Sequence, residues 1–98
     1  MTLNLPLDSK LQQLYIDAVN YTEEIFSKRL TLLTILDNAA NIYVEYEKEL
    51  PEYLKEPLGK CLAHINQDFE KDYTFLEFLE EGDMLIDDLV SYIGEYLS

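Results

Sequence analysis

The stretch that decides the fold runs from Ser9 to Leu50 and reads SKLQQLYIDAVNYTEEIFSKRLTLLTILDNAANIYVEYEKEL. It contains neither glycine nor proline, and its apolar residues recur at helical spacing throughout. The positions that follow this spacing are Leu11, Leu14, Tyr15, Ala18, Thr22, Ile25, Phe26, Leu33, Leu36, Ala40, Tyr43 and Val44. The pattern predicts helix, which Ser9 and Gln12 are expected to start as a capping box just after Pro6.

A single helix over this stretch would be too long for a compact molecule. At 1.5 Å per residue it would span roughly 60 Å, whereas a domain of about 100 residues has a radius of gyration near 13 Å. We therefore expect a break at residues 27–31, where the apolar stripe changes phase. The alternative is an elongated oligomer in which the apolar run from Leu30 to Val44 forms the seam between subunits.

Prolines and glycines divide the rest of the chain. Pro51 is expected to open a short helix, and Pro57 to open or kink the next one. An apolar face at spacings of three and four residues then follows, and it comprises Leu58, Cys61, Leu62, Ile65 and Phe69. The only cysteine, Cys61, lies on this face and is predicted to be a small core residue.

The last third of the chain predicts two more helices. Thr74 and Glu77 form a capping box for a short helix that Gly82 would end. Asp83 is then expected to cap a final helix. No alternation typical of β-strands appears. The sequence therefore predicts an all-α fold, a compact bundle of four to five helices in which residues 1–98 form a single domain.

Charge is distributed unevenly along the chain. The protein carries 20 acidic and 7 basic residues, a formal net charge of −13. Residues 1–65 hold ten acidic and six basic residues, a net of −4, whereas residues 66–98 hold ten acidic residues and only Lys71, a net of −9. A net charge of about 2–8 suffices to keep a small domain in solution. Solubility explains the sign of the charge but not its clustering.

Clustered carboxylates repel one another, and a cationic surface would relieve that repulsion. Three pairs lie one helical turn apart: Asp68 with Asp72, Glu77 with Glu81, and Asp83 with Asp87. Each like-charge pair costs roughly 0.2–0.5 kcal/mol. The residues expected to bind a partner are Asp68, Glu70, Asp72, Tyr73, Glu77, Glu80, Glu81, Asp83, Asp87, Asp88 and Tyr92. Among the tyrosines, Tyr46, Tyr53, Tyr73 and Tyr92 are interface candidates, and Tyr15, Tyr43 and Tyr96 are expected to cover the bundle.

The sequence offers no arrangement for catalysis or for binding a cofactor or metal. Di-iron bundles use two Glu-x-x-His motifs, and the chain has a single histidine, His64. Glu80-Glu81-Gly82-Asp83 lacks the spacing of a calcium loop. We expect no enzymatic activity, no cofactor and no metal site. Direct binding to nucleic acid or to an anionic membrane is not expected either, because Lys28-Arg29 is the only adjacent basic pair.

The leading hypothesis is an acidic module that binds a basic partner protein, such as a nucleic-acid-binding protein or a nuclease. By analogy this class includes inhibitors and nucleic-acid mimics of the immunity, antirestriction or anti-CRISPR kind. The alternative is a structural or scaffolding protein that self-assembles through residues 9–50, and a homodimer is compatible with both. The chain shows no signal peptide or membrane span, and a lone cysteine fits a reducing compartment, so a cytoplasmic location is expected.

Overall fold

Four helices make up the described parts of the chain. The computed structural model describes residues 5–23, 28–66 and 75–98. Its helices are α1 (Leu5–Glu23), α2 (Lys28–Tyr46), α3 (Glu52–Ile65) and α4 (Phe75–Leu97), and these described ranges contain no strand. The prediction of an all-helical bundle is confirmed, with a radius of gyration of 13.4 Å.

The long run from Ser9 to Leu50 divides into α1 and α2, which lie antiparallel. Lys10, near the start of α1, forms an ion pair with Glu45, near the end of α2, at 3.3 Å. The predicted break at residues 27–31 was placed too late, because residues 28–31 already belong to α2. The division lies between Glu23 and Lys28, outside the described residues.

The start of α1 also differs from the prediction. The helix begins at Leu5, so Pro6 lies in its first turn, where proline is tolerated. Ser9 and Gln12 lie inside the helix, and the predicted capping box is wrong. The reason is Leu7, which is buried and extends the apolar stripe one turn towards the N-terminus. Burial of that side chain favours helix earlier than the local capping signal indicates.

Helix α3 tolerates a proline that was expected to start or kink a helix. Pro51 occupies the N-cap position in an extended conformation, and its carbonyl accepts hydrogen bonds from the backbone of Leu54 and Lys55 at 3.0 and 3.2 Å. Pro57 lies inside the same helix instead of opening another. Its ring is buried in the core, and this burial offsets part of the lost backbone hydrogen bond.

Helix α4 replaces the two short helices predicted for the last third of the chain. It runs without interruption for 23 residues, so Gly82 does not end a helix and Asp83 does not cap one. Both residues are held by tertiary contacts: Gly82 is buried against α2, and Asp83 accepts a hydrogen bond from Tyr21 of α1. Thr74, the other half of the predicted capping box, lies outside the described residues.

All four helices contribute to one hydrophobic core. Helices α2 and α4 each contact the three other helices, whereas the backbones of α1 and α3 stay more than 8 Å apart, measured between α-carbons of the described residues. Fully buried side chains include Leu11 and Leu14 of α1, Leu32, Ile35 and Leu36 of α2, Leu54, Leu58 and Cys61 of α3, and Phe78, Ile86, Leu89 and Ile93 of α4. The predicted apolar face of α3 is thus half confirmed as core: Leu58 and Cys61 are buried, Leu62 and Ile65 are half-buried, and Phe69 lies outside the described residues.

The three glycines lie where two helices come close together. A β-carbon added at Gly82 would lie 2.8 Å from Leu32 Cδ2, which is too short for a real contact. One at Gly94 would lie 3.0 Å from Tyr15 Cε1, and one at Gly59 would lie 3.4 Å from Tyr43 Cε1, an ordinary contact. Gly82 therefore sets how closely α4 approaches α2.

Replacing Gly82 by alanine is expected to lower the free energy of unfolding by about 1 kcal/mol. Overpacking a core costs about 1–3 kcal/mol, which outweighs the gain of about 1 kcal/mol from the higher helix propensity of alanine. The measurement is urea unfolding followed by far-UV circular dichroism.

The matched control for this change is Gly59→Ala. Because its new methyl group makes only an ordinary contact with Tyr43, the propensity gain should raise the free energy of unfolding by about 0.5–1 kcal/mol. Equal stabilisation by both substitutions would show that α4 does not approach α2 as closely as described.

Candidate functional site on the exposed face of α4

One side of α4 is buried and the other is covered with carboxylates. Phe78, Gly82, Ile86, Leu89 and Ile93 recur every three or four residues and are buried. The opposite side carries Glu77, Glu80, Glu81, Asp87 and Glu95, which are exposed, and Asp88, which is half-buried. We call these six residues the acidic face. Helix α4 contains no lysine or arginine, so the acidic face has no base within its own helix.

The structure brings five of the predicted binding residues together on this face. They are Glu77, Glu80, Glu81, Asp87 and Asp88. Tyr92 lies on the same helix and is 38% exposed. Four others, Asp68, Glu70, Asp72 and Tyr73, lie outside the described residues. Glu95 was missed, although its spacing of seven residues from Asp88 places it on the same side of a helix.

Asp83 is separated from the acidic face by its position on the helix. It is half-buried at the contact between α1 and α4, where its carboxylate accepts a hydrogen bond from the hydroxyl of Tyr21. At the other end of the same contact, the Tyr96 hydroxyl donates to Asp8 at 2.7 Å. These two bonds join α1 to α4, so Asp83 contributes to the fold.

The remaining tyrosines largely follow the prediction. Tyr15, Tyr43 and Tyr96 are half-buried and pack against the core, as expected. Tyr46 does the same, although it was predicted to be an interface candidate. Tyr53 is 43% exposed on α3.

Met84 lies at the centre of the acidic face and is the most exposed large apolar residue among those described. Its side chain is 68% exposed. Glu80 and Glu81 precede it by four and three residues, and Asp87 and Asp88 follow it by three and four, so all four carboxylates are its neighbours on the helix surface. Sequence reasoning missed Met84, because it considered charges and tyrosines but not the apolar residue between them.

A groove of about 310 Å³ runs between α3 and α4 beside Met84. Ala63, Met84 and Leu85 form its apolar lining, and Lys60, Glu81 and Asp88 supply its charged groups. We call it the α3–α4 groove. It is bounded on one side by part of the acidic face and on the other by α3.

His64 holds α3 and α4 together along this groove. Its ring is only 3% exposed and stacks on the Phe78 ring, with centroids 4.3 Å apart. The Nε2–H group donates to the Phe78 carbonyl at 3.0 Å, and Nδ1 lies 3.8 Å from Glu81 Oε1. His64 thus packs between α3 and α4, and the Glu81 carboxylate lies beside its ring.

Cys61 is buried one turn before His64, and its thiol is protonated at neutral pH. Burial, followed by the negative charge of Asp88, raises the pKa of its thiol to about 12. The protonated thiol is a poor nucleophile and a poor metal ligand. Within the described ranges, no group of three or more His, Cys, Asp or Glu side chains lies close enough together to hold a metal ion. The carboxylates of the acidic face are spread along the helix and do not converge.

The apolar run that was considered as an oligomer seam is mostly used inside the bundle. Leu32, Ile35, Leu36, Ala39 and Ala40 are buried, and so is Ile42. Of the described apolar residues in this run, Leu33 and Val44 remain exposed at 40% and 65%. They are eleven residues apart, and Asp37 lies exposed between them.

Comparison with known protein families, characterised proteins and solved structures finds no match to this chain. In the parts of the chain that the structure describes, no helix combines the length and apolar character needed to cross a membrane.

The tyrosine–aspartate bonds predict that stability falls in alkaline solution. The hydrogen bond to Asp8, together with burial, raises the pKa of Tyr96 to about 12, and burial and the bond to Asp83 raise the pKa of Tyr21 further. Unfolded tyrosine ionises near pH 10. The folded state therefore retains protons that the unfolded state loses. The stabilisation is complete below about pH 10 and decreases as pH rises towards about 12.

The measurement is the free energy of unfolding at about pH 9 and about pH 11, on either side of the ordinary tyrosine pKa. The variant carrying both Tyr21→Phe and Tyr96→Phe should lose less stability between these values than the native protein. Ionisation of lysines affects both proteins alike. Tyr92→Phe, a change at an exposed tyrosine that takes no part in either bond, is the control and should behave like the native protein. The same alkaline loss in all three proteins would contradict the two hydrogen bonds.

Proposed function

We propose that this protein is an acidic binding module that engages a basic partner protein through the acidic face of α4. The observation that carries the proposal is the combination of six carboxylates, no base in the same helix, and an exposed methionine at the centre. A solvated helix surface accounts for the charges alone. A binding surface accounts for the charges and for Met84 together, because interfaces place apolar anchors within a polar rim.

Helix α3 differs from α4 in the arrangement of its charges. In α3, Glu52 pairs with Lys55 at 3.4 Å and Glu56 with Lys60 at 3.6 Å. In α4, by contrast, Glu77 is followed one turn later by Glu81, and like charges at this spacing destabilise a helix by a few tenths of a kcal/mol. A cationic partner would remove this repulsion and would be attracted over a distance of about 8–10 Å at physiological salt.

Met84 also indicates the kind of cationic surface that fits. An imitation of nucleic acid needs rows of negative charge, and along the exposed side of α4 such a row is interrupted by Met84 and Ser91. A partner surface that combines lysine or arginine with apolar side chains matches the face better. Basic nucleic-acid-binding proteins and nucleases present such surfaces, and inhibition of one of them is a specific form of this proposal. A cytoplasmic setting belongs to it too, supported by the single free thiol of Cys61.

Self-assembly through residues 9–50 has weaker support. The bundle core already buries most of the apolar residues that such a seam would use, as described above. The exposed large apolar residues among those described in this region are Ile16 in α1 and Leu33 and Val44 in α2. Asp37 lies exposed between the last two. Formation of a homodimer stays a prediction, which analytical ultracentrifugation at micromolar concentration checks directly.

Reversing charges on the acidic face should abolish binding to a basic, amphipathic probe. The probe is a synthetic peptide with one leucine face and one arginine face, of about 15 residues or more so that it forms a helix. The variant is Glu80→Lys with Asp87→Lys and Glu95→Lys. We expect its affinity to fall at least tenfold, about 1.4 kcal/mol, because attraction becomes repulsion. Isothermal titration calorimetry at about 0.15 M salt provides the measurement.

The matched control reverses three exposed acids elsewhere, Asp37→Lys with Glu47→Lys and Glu49→Lys. It changes the net charge by the same amount, so it should reduce affinity about threefold at most if the acidic face is the site. Far-UV circular dichroism checks that both variants stay helical. An equal loss in both variants would mean that net charge alone attracts the peptide, and the proposed site would be wrong.

A further inference from the structure

Two carboxylates of the acidic face border the α3–α4 groove and lie two helical turns apart. Glu81 and Asp88 are separated by seven residues, about 10.5 Å along the helix axis at 1.5 Å per residue. Glu81 is turned towards α3, since its carboxylate lies 3.8 Å from Nδ1 of the buried His64. Asp88 is also on this side, because it lines the groove together with Lys60 and Ala63 of α3.

Met84 lies midway between these two carboxylates. It follows Glu81 by three residues and precedes Asp88 by four, and all three residues line the α3–α4 groove. The order along the groove is therefore carboxylate, apolar side chain, carboxylate. A second helix lying along the groove repeats its own side chains every seven residues, because seven residues make almost two turns. The order carboxylate, apolar side chain, carboxylate on α4 can thus be matched by the order cation, apolar side chain, cation on a second helix.

The size and opening of the groove favour a helix over a small molecule. Its volume of about 310 Å³ is at the lower end of the range of about 300–1,000 Å³ for small-molecule pockets. Met84, 68% exposed, reaches into solvent beside it, so the site is a shallow channel between two helices. Such channels bind amphipathic helices through a few anchoring side chains.

We propose that the α3–α4 groove holds an amphipathic helix of the basic partner, with two arginine or lysine side chains seven residues apart facing Glu81 and Asp88 and an apolar side chain between them packed against Met84. This inference rests on the proposed function and specifies the partner of the same surface. Attraction between opposite charges determines which two residues of the partner helix lie at Glu81 and Asp88. Burial of Met84 against the apolar residue between them fixes the position of that helix along the groove.

Lys60 determines which side of the groove the partner's arginine or lysine side chains occupy. It lines the groove from α3 and pairs with Glu56 of the same helix at 3.6 Å. A cationic side chain near Lys60 would be repelled, whereas one near α4 meets Glu81 or Asp88. The partner's basic residues therefore face α4, and its apolar residues lie in the channel.

Two peptides of identical composition test the spacing. Both are alanine- and glutamine-based helices with leucine at positions i+3 and i+4. One carries arginine at i and i+7, and in the other the second arginine is at i+5, which turns it by about 160° to the other side of the helix. We expect the native protein to bind the i, i+7 peptide at least about tenfold more tightly in calorimetry at about 0.15 M salt.

Two double variants that remove the same charge at the same spacing test the site. Glu81→Gln with Asp88→Asn takes both carboxylates from the groove and should abolish the preference between the peptides. Glu80→Gln with Asp87→Asn takes two carboxylates from the opposite side of Met84. It should lower affinity for both peptides about twofold, through the general charge, and keep the preference.

A substitution of Lys60 is expected to raise affinity for the peptide. Partial unfolding of a variant could not produce this result, because unfolding lowers affinity. Lys60→Gln should raise affinity for the i, i+7 peptide about twofold or more, whereas Lys48→Gln, an equal change of charge at an exposed position outside the groove, should raise it less.

The outcomes separate this inference from the proposed function. If both peptides bind equally, or if the two double variants weaken binding equally, the groove is not the site, while a loss on reversal of Glu80, Asp87 and Glu95 still supports the acidic face. If neither peptide binds the native protein but the peptide with a whole arginine face does, only the groove inference is overturned. If none of the three peptides binds, both proposals are overturned.

Discussion

The close crossing of α2 and α4 is the constraint on which the rest of the bundle depends. These two helices each contact all the others, whereas no α-carbon of α1 comes within 8 Å of one of α3 in the described residues. At the crossing, the absent side chain of Gly82 leaves room for Leu32. A larger residue would push the two central helices apart and reduce the burial of the apolar residues around them, each of which contributes about 1.5–3 kcal/mol when fully buried.

Hydrophobic periodicity was sufficient to predict the helical class of the fold and the division of the long apolar run. It was not sufficient for helix ends. Ser9, Gly82 and Asp83 all carry strong local signals for a helix boundary, yet all three lie inside helices because tertiary contacts outweigh those signals: burial of Leu7, the approach of Leu32, and the hydrogen bond from Tyr21. Local propensities are worth about 1 kcal/mol or less, and burial of a single large side chain exceeds that.

The acidic face was predicted in part, because the spacing of charges within a helix is visible in a sequence. Glu77, Glu80, Glu81, Asp87 and Asp88 follow from that spacing once the helix is known to be continuous. Two features depend on three-dimensional packing and could not be read in advance. Asp83 is turned towards α1 by its bond to Tyr21, and Glu81 lies at the groove, 3.8 Å from the buried His64 of another helix.

Helix α4 carries its buried core residues and its acidic face on opposite sides. The residues that hold it in the bundle, such as Ile86 and Ile93, are spaced so that none of them is also part of the acidic face. Changes at Glu80 or Met84 therefore act on the surface alone and leave the interior packing as it is. A lineage, or a protein engineer, can retune this exterior towards new targets one residue at a time, since no step requires the scaffold to be rebuilt.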